Sequence, residues 1–145
     1  MKKLIIFIGI ILILMLIRNH TYVFETINFQ LGLGEEPLKK NDILNHLKKR
    51  LRNDLNIYPY KMTILNKKDI GGKRFVVYEF TYDNITSWGY ASFEKIKDNC
   101  YYFYSNIAHR NKEGYRTAEI EYEYKGETYK VKVTMYGDIN LLETK

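Results

Sequence analysis

An α+β domain behind a membrane-anchoring amino terminus is the fold class that three features of the chain predict. Residues 4–17 are all apolar or glycine. Residues 43–55 repeat apolar positions at helical spacing, and from residue 60 onward the apolar period shortens to two. At 145 residues the chain holds one domain and an appendage, long enough for a core without cross-links.

The amino terminus reads MKKLIIFIGIILILMLIRNH, with Lys2 and Lys3 before the apolar run and Arg18 ending it. A cleaved leader has the same basic start and apolar middle, but it also needs a small-x-small site just beyond them. After Ile17 come Arg, Asn, His, Thr, Tyr, Val and Phe, and the nearest such triplet, Gly32-Leu33-Gly34, lies too far along. Length pulls the other way. The fourteen residues span about 21 Å as a helix, against a hydrocarbon core of about 30 Å. Long basic stems that snorkel, with Tyr22 and Phe24 as an aromatic belt, absorb that difference. A missing cleavage site is harder to repair than a short helix, so residues 1–18 are expected to be an uncleaved signal-anchor that crosses the cell membrane once. A buried soluble helix fits worse, because it would be apolar on every side in a domain too small to surround it. Two lysines before the run and one arginine after it orient the amino terminus to the cytoplasm and the domain outside.

Residues 19–36 form a connector in which Ile27, Phe29, Leu31 and Leu33 alternate, compatible with a short strand or with a stalk on the membrane. Asn41 and Asp42 are candidate caps for a helix whose apolar stripe is Ile43, Leu44, Leu47, Leu51 and Leu55. Lys48, Lys49, Arg50 and Arg52 take the opposite face, and Asn56 with Tyr58-Pro59 ends the helix. Strands are expected at 60–68, 74–82, 87–95, 100–108, 116–124 and 128–136. Turn chemistry separates them at Gly71-Gly72, Asp83-Asn84, Lys97-Asp98-Asn99, residues 111–114 and Lys125-Gly126. The last hairpin predicts its own register. A two-residue Lys125-Gly126 loop sets Tyr122 against Tyr129 and Ile120 against Val131 on one face. On the other it sets Glu121 against Lys130 and Glu119 against Lys132. One helix laid on an antiparallel meander of about five to six strands is the economical arrangement for residues 37–145, a cystatin-like architecture in outline only.

Composition narrows function. The net charge is +6, but Lys2, Lys3 and Arg18 belong to the anchor, leaving 20 basic against 17 acidic residues. Residues 37–74 carry eleven Lys or Arg against three Asp, and residues 75–145 nine against eleven acids. That polarity suggests a one-sided surface more than a nucleic-acid binder, whose basic excess is larger. A single cysteine, Cys100, permits neither an internal disulfide nor a thiolate metal cluster. The histidines at 20, 46 and 109 share no ligand spacing, and no cofactor or metal is expected. His46 reads as a surface residue, and Cys100 as a core or half-buried strand residue without a catalytic signature around it. Glu119, Glu121 and Glu123 read as a solvated face paired with lysines, and Gly71-Gly72-Lys73 as a turn without the following helix of a phosphate loop. Asn84-Ile85-Thr86 matches the glycosylation pattern, but it falls on a turn that already accounts for it.

Two surfaces remain as binding candidates. Lys48, Lys49, Arg50 and Arg52 lie within a few tens of residues of the anchor and suit anionic lipid headgroups or wall polymer. Tyr101, Tyr102 and Tyr104 suggest an aromatic face for a polysaccharide or another envelope protein. The function expected is a membrane-anchored, non-catalytic binding or accessory module outside the cytoplasm. A secreted domain freed by cleavage and an enzyme whose site assembles only in three dimensions are the alternatives.

Overall fold

The structure, a computed structural model, describes residues 2–97, 99–111, 114 and 116–145, and the side chains of these apart from 2, 3, 16, 18 and 103–111. Expectations placed on Asp98, on residues 112 and 113, and on the side chains of Lys2, Lys3, Arg18, Tyr104 and His109 lie outside the described residues. The elements in chain order are α1 (Lys2–Gln30), β1 (Pro37–Lys39), a 3-10 turn (Lys40–Asp42), α2 (Ile43–Leu55), β2 (Lys61–Ile70), β3 (Lys73–Tyr82), β4 (Ile85–Lys97), β5 (Cys100–Asn111), β6 (Thr117–Tyr124), β7 (Glu127–Thr134) and β8 (Ile139–Thr144). The strands form a five-stranded antiparallel sheet ordered β1-β5-β4-β3-β2 and a three-stranded one ordered β6-β7-β8.

The α+β class holds, but its layering differs from one helix on a single meander. On one face of the larger sheet, Ile43, Leu47 and Leu51 of α2 pack against Val76, Tyr78, Phe80, Ala91, Phe93 and Tyr101. On the other, Phe75, Val77 and Trp88 pack against Val131, Val133, Met135 and Ile139 of the smaller sheet and the turn before β8. The pleat explains both cores, because successive residues of β3 point to opposite sides and Phe75 through Tyr78 are all apolar or aromatic. The β6–β7 register is the one the side-chain pairing predicts, with Tyr122 opposite Tyr129, Ile120 opposite Val131 and Glu121 opposite Lys130. Helix α2 ends at Asn56, which takes the left-handed conformation (φ 56°). Asp42 holds the N-cap position without a side-chain capping bond.

Helix α1 continues to Gln30, into the residues expected to connect anchor and domain. The alternation at 27, 29, 31 and 33 makes no strand, because the N–H groups of Gly32 and Leu33 close on the Phe29 and Asn28 carbonyls and finish a helix. The Leu4–Met15 and Asn19–Gln30 halves are bent by 74°. Among the described residues no single helix is long and apolar enough to cross a membrane, although these two halves together have the length and composition. The second half docks on the sheet edge. Lys39 Nζ sits 4.6 Å from the centre of the Tyr22 ring, the Tyr102 hydroxyl donates to Glu25 Oε2, and Lys97 Nζ lies 3.5 Å from His20 Nε2. The first half touches no core: the described large side chains from Leu4 to Ile17 are 38–67% exposed.

Candidate functional site

Residues 45, 48, 49, 52 and 53 of α2 follow the i, i+3, i+4, i+7, i+8 pattern and so share one helix face. The stripe Ile43, Leu47 and Leu51, buried against the sheet, turns that face to solvent. Beyond Asn56 the chain doubles back, and Tyr58 and Pro59 complete a groove of about 550 Å³ with Asn45, Lys48, Lys49, Arg52 and Asn53. The Arg52 guanidinium lies 4.8 Å from the centre of the Tyr58 ring, which orients both groups by cation–π attraction. Three cations, two amides and one aromatic ring suit a phosphate or carboxylate joined to a flat or apolar body.

Of the four basic residues singled out from the sequence, Lys48, Lys49 and Arg52 line this groove. Arg50 is directed instead to Asp54, with Nε 3.0 Å from the carboxylate in an i, i+4 pair. Such a surface pair contributes at most about 1 kcal/mol, and it offsets one of the four positive charges of the helix. Tyr58 and the two asparagines were missed. The signal for the ring was the Tyr58-Pro59 pair next to a helix stop, since such a pair turns the chain back toward the helix it leaves.

The aromatic face proposed for β5 does not form at Tyr101 and Tyr102. Adjacent strand residues point to opposite sides. Tyr101 is 1% exposed in the α2-side core, with the Arg74 guanidinium 4.7 Å from its ring centre. Tyr102 is taken up by Glu25 of α1, which with burial raises the tyrosine pKa. His46 is also not the surface residue expected. Its ring meets the edge of Phe93, 6.3 Å between centres, and burial lowers its pKa. Cys100 is buried as expected, and burial raises its thiol pKa, which favours the neutral thiol over the nucleophilic thiolate. Glu119 accepts from Lys130 at 3.1 Å on a solvated face. Among the described residues no three His, Cys, Asp or Glu side chains gather where a metal ion would sit.

The α2 groove is therefore the place where the residues singled out from the sequence converge, and what it offers is binding of negative charge. Compared with protein-family models, with curated proteins and with solved structures, the chain finds no match.

Proposed function

We propose that this chain is a membrane-anchored binding module, with its amino terminus in the cytoplasm and its domain outside, which engages anionic groups of the cell envelope through α2 and performs no chemistry of its own. The observation that carries the reading is the bare apolar half of α1. Leu4 to Ile17 leave twelve large apolar side chains 38–67% exposed, a surface that costs about 25 cal/mol per Å² in water and nothing among lipid tails. Its shortfall in length is met by local thinning of the bilayer and by flanking basic stems. Lys2 and Lys3 on one side against Arg18 on the other support the orientation. The groove of Lys48, Lys49, Arg52 and Tyr58 supports the binding role.

Two measurements test it. Full-length protein is expected in the membrane fraction after alkaline carbonate washing; recovery of the intact chain in the wash would end the anchored reading. In neutral nanodiscs, the full chain is expected to bind an anionic wall polymer or anionic vesicles. Changing Lys48, Lys49, Arg50 and Arg52 together to glutamine is expected to weaken that binding at least tenfold, since each basic group near an anionic surface contributes about 1 kcal/mol. Unchanged binding would return the charge run to an ordinary solvated face.

A further inference from the structure

The bend in α1 encloses a second basic site, whose residues lie too far apart in sequence to be seen as one group. A pocket of about 640 Å³ opens between the bend, the β1 end and the start of β5. Its polar wall brings together His20, Lys39, Lys40 and Lys97, from three separate stretches of chain. Its apolar wall is Met15 and Ile17, the last turn of the bare half of α1. The backbone N–H of Lys40 donates to the Asn99 carbonyl at 3.1 Å, which locks the segment carrying two of the lysines onto the turn that precedes β5.

Charge makes this arrangement unusual. Among the described residues, three lysines and no carboxylate line the pocket. Like charges gathered around one cavity repel one another, and an anion seated there relieves that repulsion. The Glu25 carboxylate is near enough to act on Cys100, but it accepts from the Tyr102 hydroxyl. Adjoining it, an apolar groove of about 450 Å³ is lined by Ile17, Val23, Phe24 and Ile27, sharing Ile17 and His20 with the basic pocket. An anion-seeking cavity and an apolar trough thus meet at one bend.

We propose that this bend binds one anionic phospholipid, its phosphodiester held by Lys39, Lys40 and Lys97 and an acyl chain lying along Ile17, Phe24 and Ile27. The inference rests on the membrane-anchored reading, which sets Ile17 at the hydrocarbon boundary and therefore the basic pocket at headgroup depth. His20 lies within reach of Lys97 and lends its ring to the same phosphate.

The test uses full-length protein in nanodiscs of mixed phosphatidylcholine and phosphatidylglycerol, with native mass spectrometry of the lipids that stay bound. Wild type is expected to retain phosphatidylglycerol in preference, and the K39Q/K40Q/K97Q variant to lose that preference by about tenfold or more, because each removed charge weakens attraction to an anionic headgroup. The K61Q/K67Q variant, which changes exposed lysines of β2 at the opposite edge of the sheet, is expected to keep it. Lys40→Gln alone, at an exposed position, is expected to give a smaller loss in the same direction and guards against misfolding of the triple variant. Equal retention by wild type and K39Q/K40Q/K97Q overturns the site. Displacement of the lipid by millimolar inorganic phosphate overturns the headgroup assignment in favour of a soluble phosphate ligand. A wild-type chain that inserts without lipid preference sinks this inference alone, whereas one that fails to insert sinks the anchored reading and takes this one with it.

Discussion

Tyr78 carries a hydroxyl that is fully buried and has no hydrogen-bond partner among the described residues, and the same burial raises its pKa steeply. Its ring packs on Phe80, 6.0 Å between centres, so the apolar body contributes to the core while the oxygen opposes it. Desolvating a hydroxyl without a partner costs about 1–3 kcal/mol. Tyr78→Phe is therefore expected to stabilise the domain by about 1 kcal/mol, read as a higher urea midpoint at unchanged slope. A lower midpoint would reveal a partner for the oxygen. His46 predicts a pH effect. Burial, and then the Arg50 and Lys49 charges against the opposing pull of Glu36, lower its folded pKa below the ordinary 6.5. The unfolded chain then binds more protons than the folded one, so the contribution is complete above pH 6.5 and is lost as pH falls through the folded value. Urea midpoints of wild type are expected to drop between neutral and mildly acid pH, and His46→Gln to remove part of that drop.

Among the elements, the β6–β7 hairpin was legible residue by residue, because its two faces carry different chemistry and only one register satisfies both. The helix end at Asn56 and the three turns at 71–72, 83–84 and 125–126 were legible for a similar reason, since local turn chemistry is written where it acts. Strand β1 was not, because three residues are too few to show a period, and neither was β8, whose INLLET does not alternate. The division into two sheets was missed although a signal was present. Phe75, Val76, Val77 and Tyr78 form an unbroken apolar run, which marks a strand covered on both faces. Periodicity states which way a side chain points, but it cannot state what covers it. Coverage by the second sheet has its own consequence at Gly72, where φ is +71° and an added Cβ would stand 2.3 Å from the Tyr124 ring. At Gly126, φ is +82° in open space. Gly126→Ala is expected to cost about 1 kcal/mol from backbone conformation alone. Gly72→Ala is expected to cost about 1–2 kcal/mol more through overpacking, as a comparison of urea midpoints will read. Equal losses would mean that the ring moves aside freely.

For the whole molecule, the attachment proposed above has two parts that salt would separate. Contacts through the α2 cations are screened within about 10 Å at 0.1 M ionic strength, whereas apolar burial is not weakened by salt. Raising salt is therefore expected to release soluble anionic polymer from nanodisc-held protein while the chain itself stays in the membrane fraction; simultaneous release of both would mean that charge alone holds the chain. The candidate groove was legible in part, because helical spacing put Lys48, Lys49 and Arg52 on one side, while Tyr58 joins them only through the fold of the following loop. The bend in α1 was not legible, since hydropathy records where apolar residues stop and not the direction in which the chain leaves. That bend, together with the docking of Asn19–Gln30 on the β1 edge and the six residues between Gln30 and Pro37, sets the working height of the domain. Six residues reach at most about 20 Å even when taut. In the anchored state proposed above, the domain would not sweep through the space outside the cell like a tethered float, and whatever it recognises would have to arrive at the bilayer or already reside there.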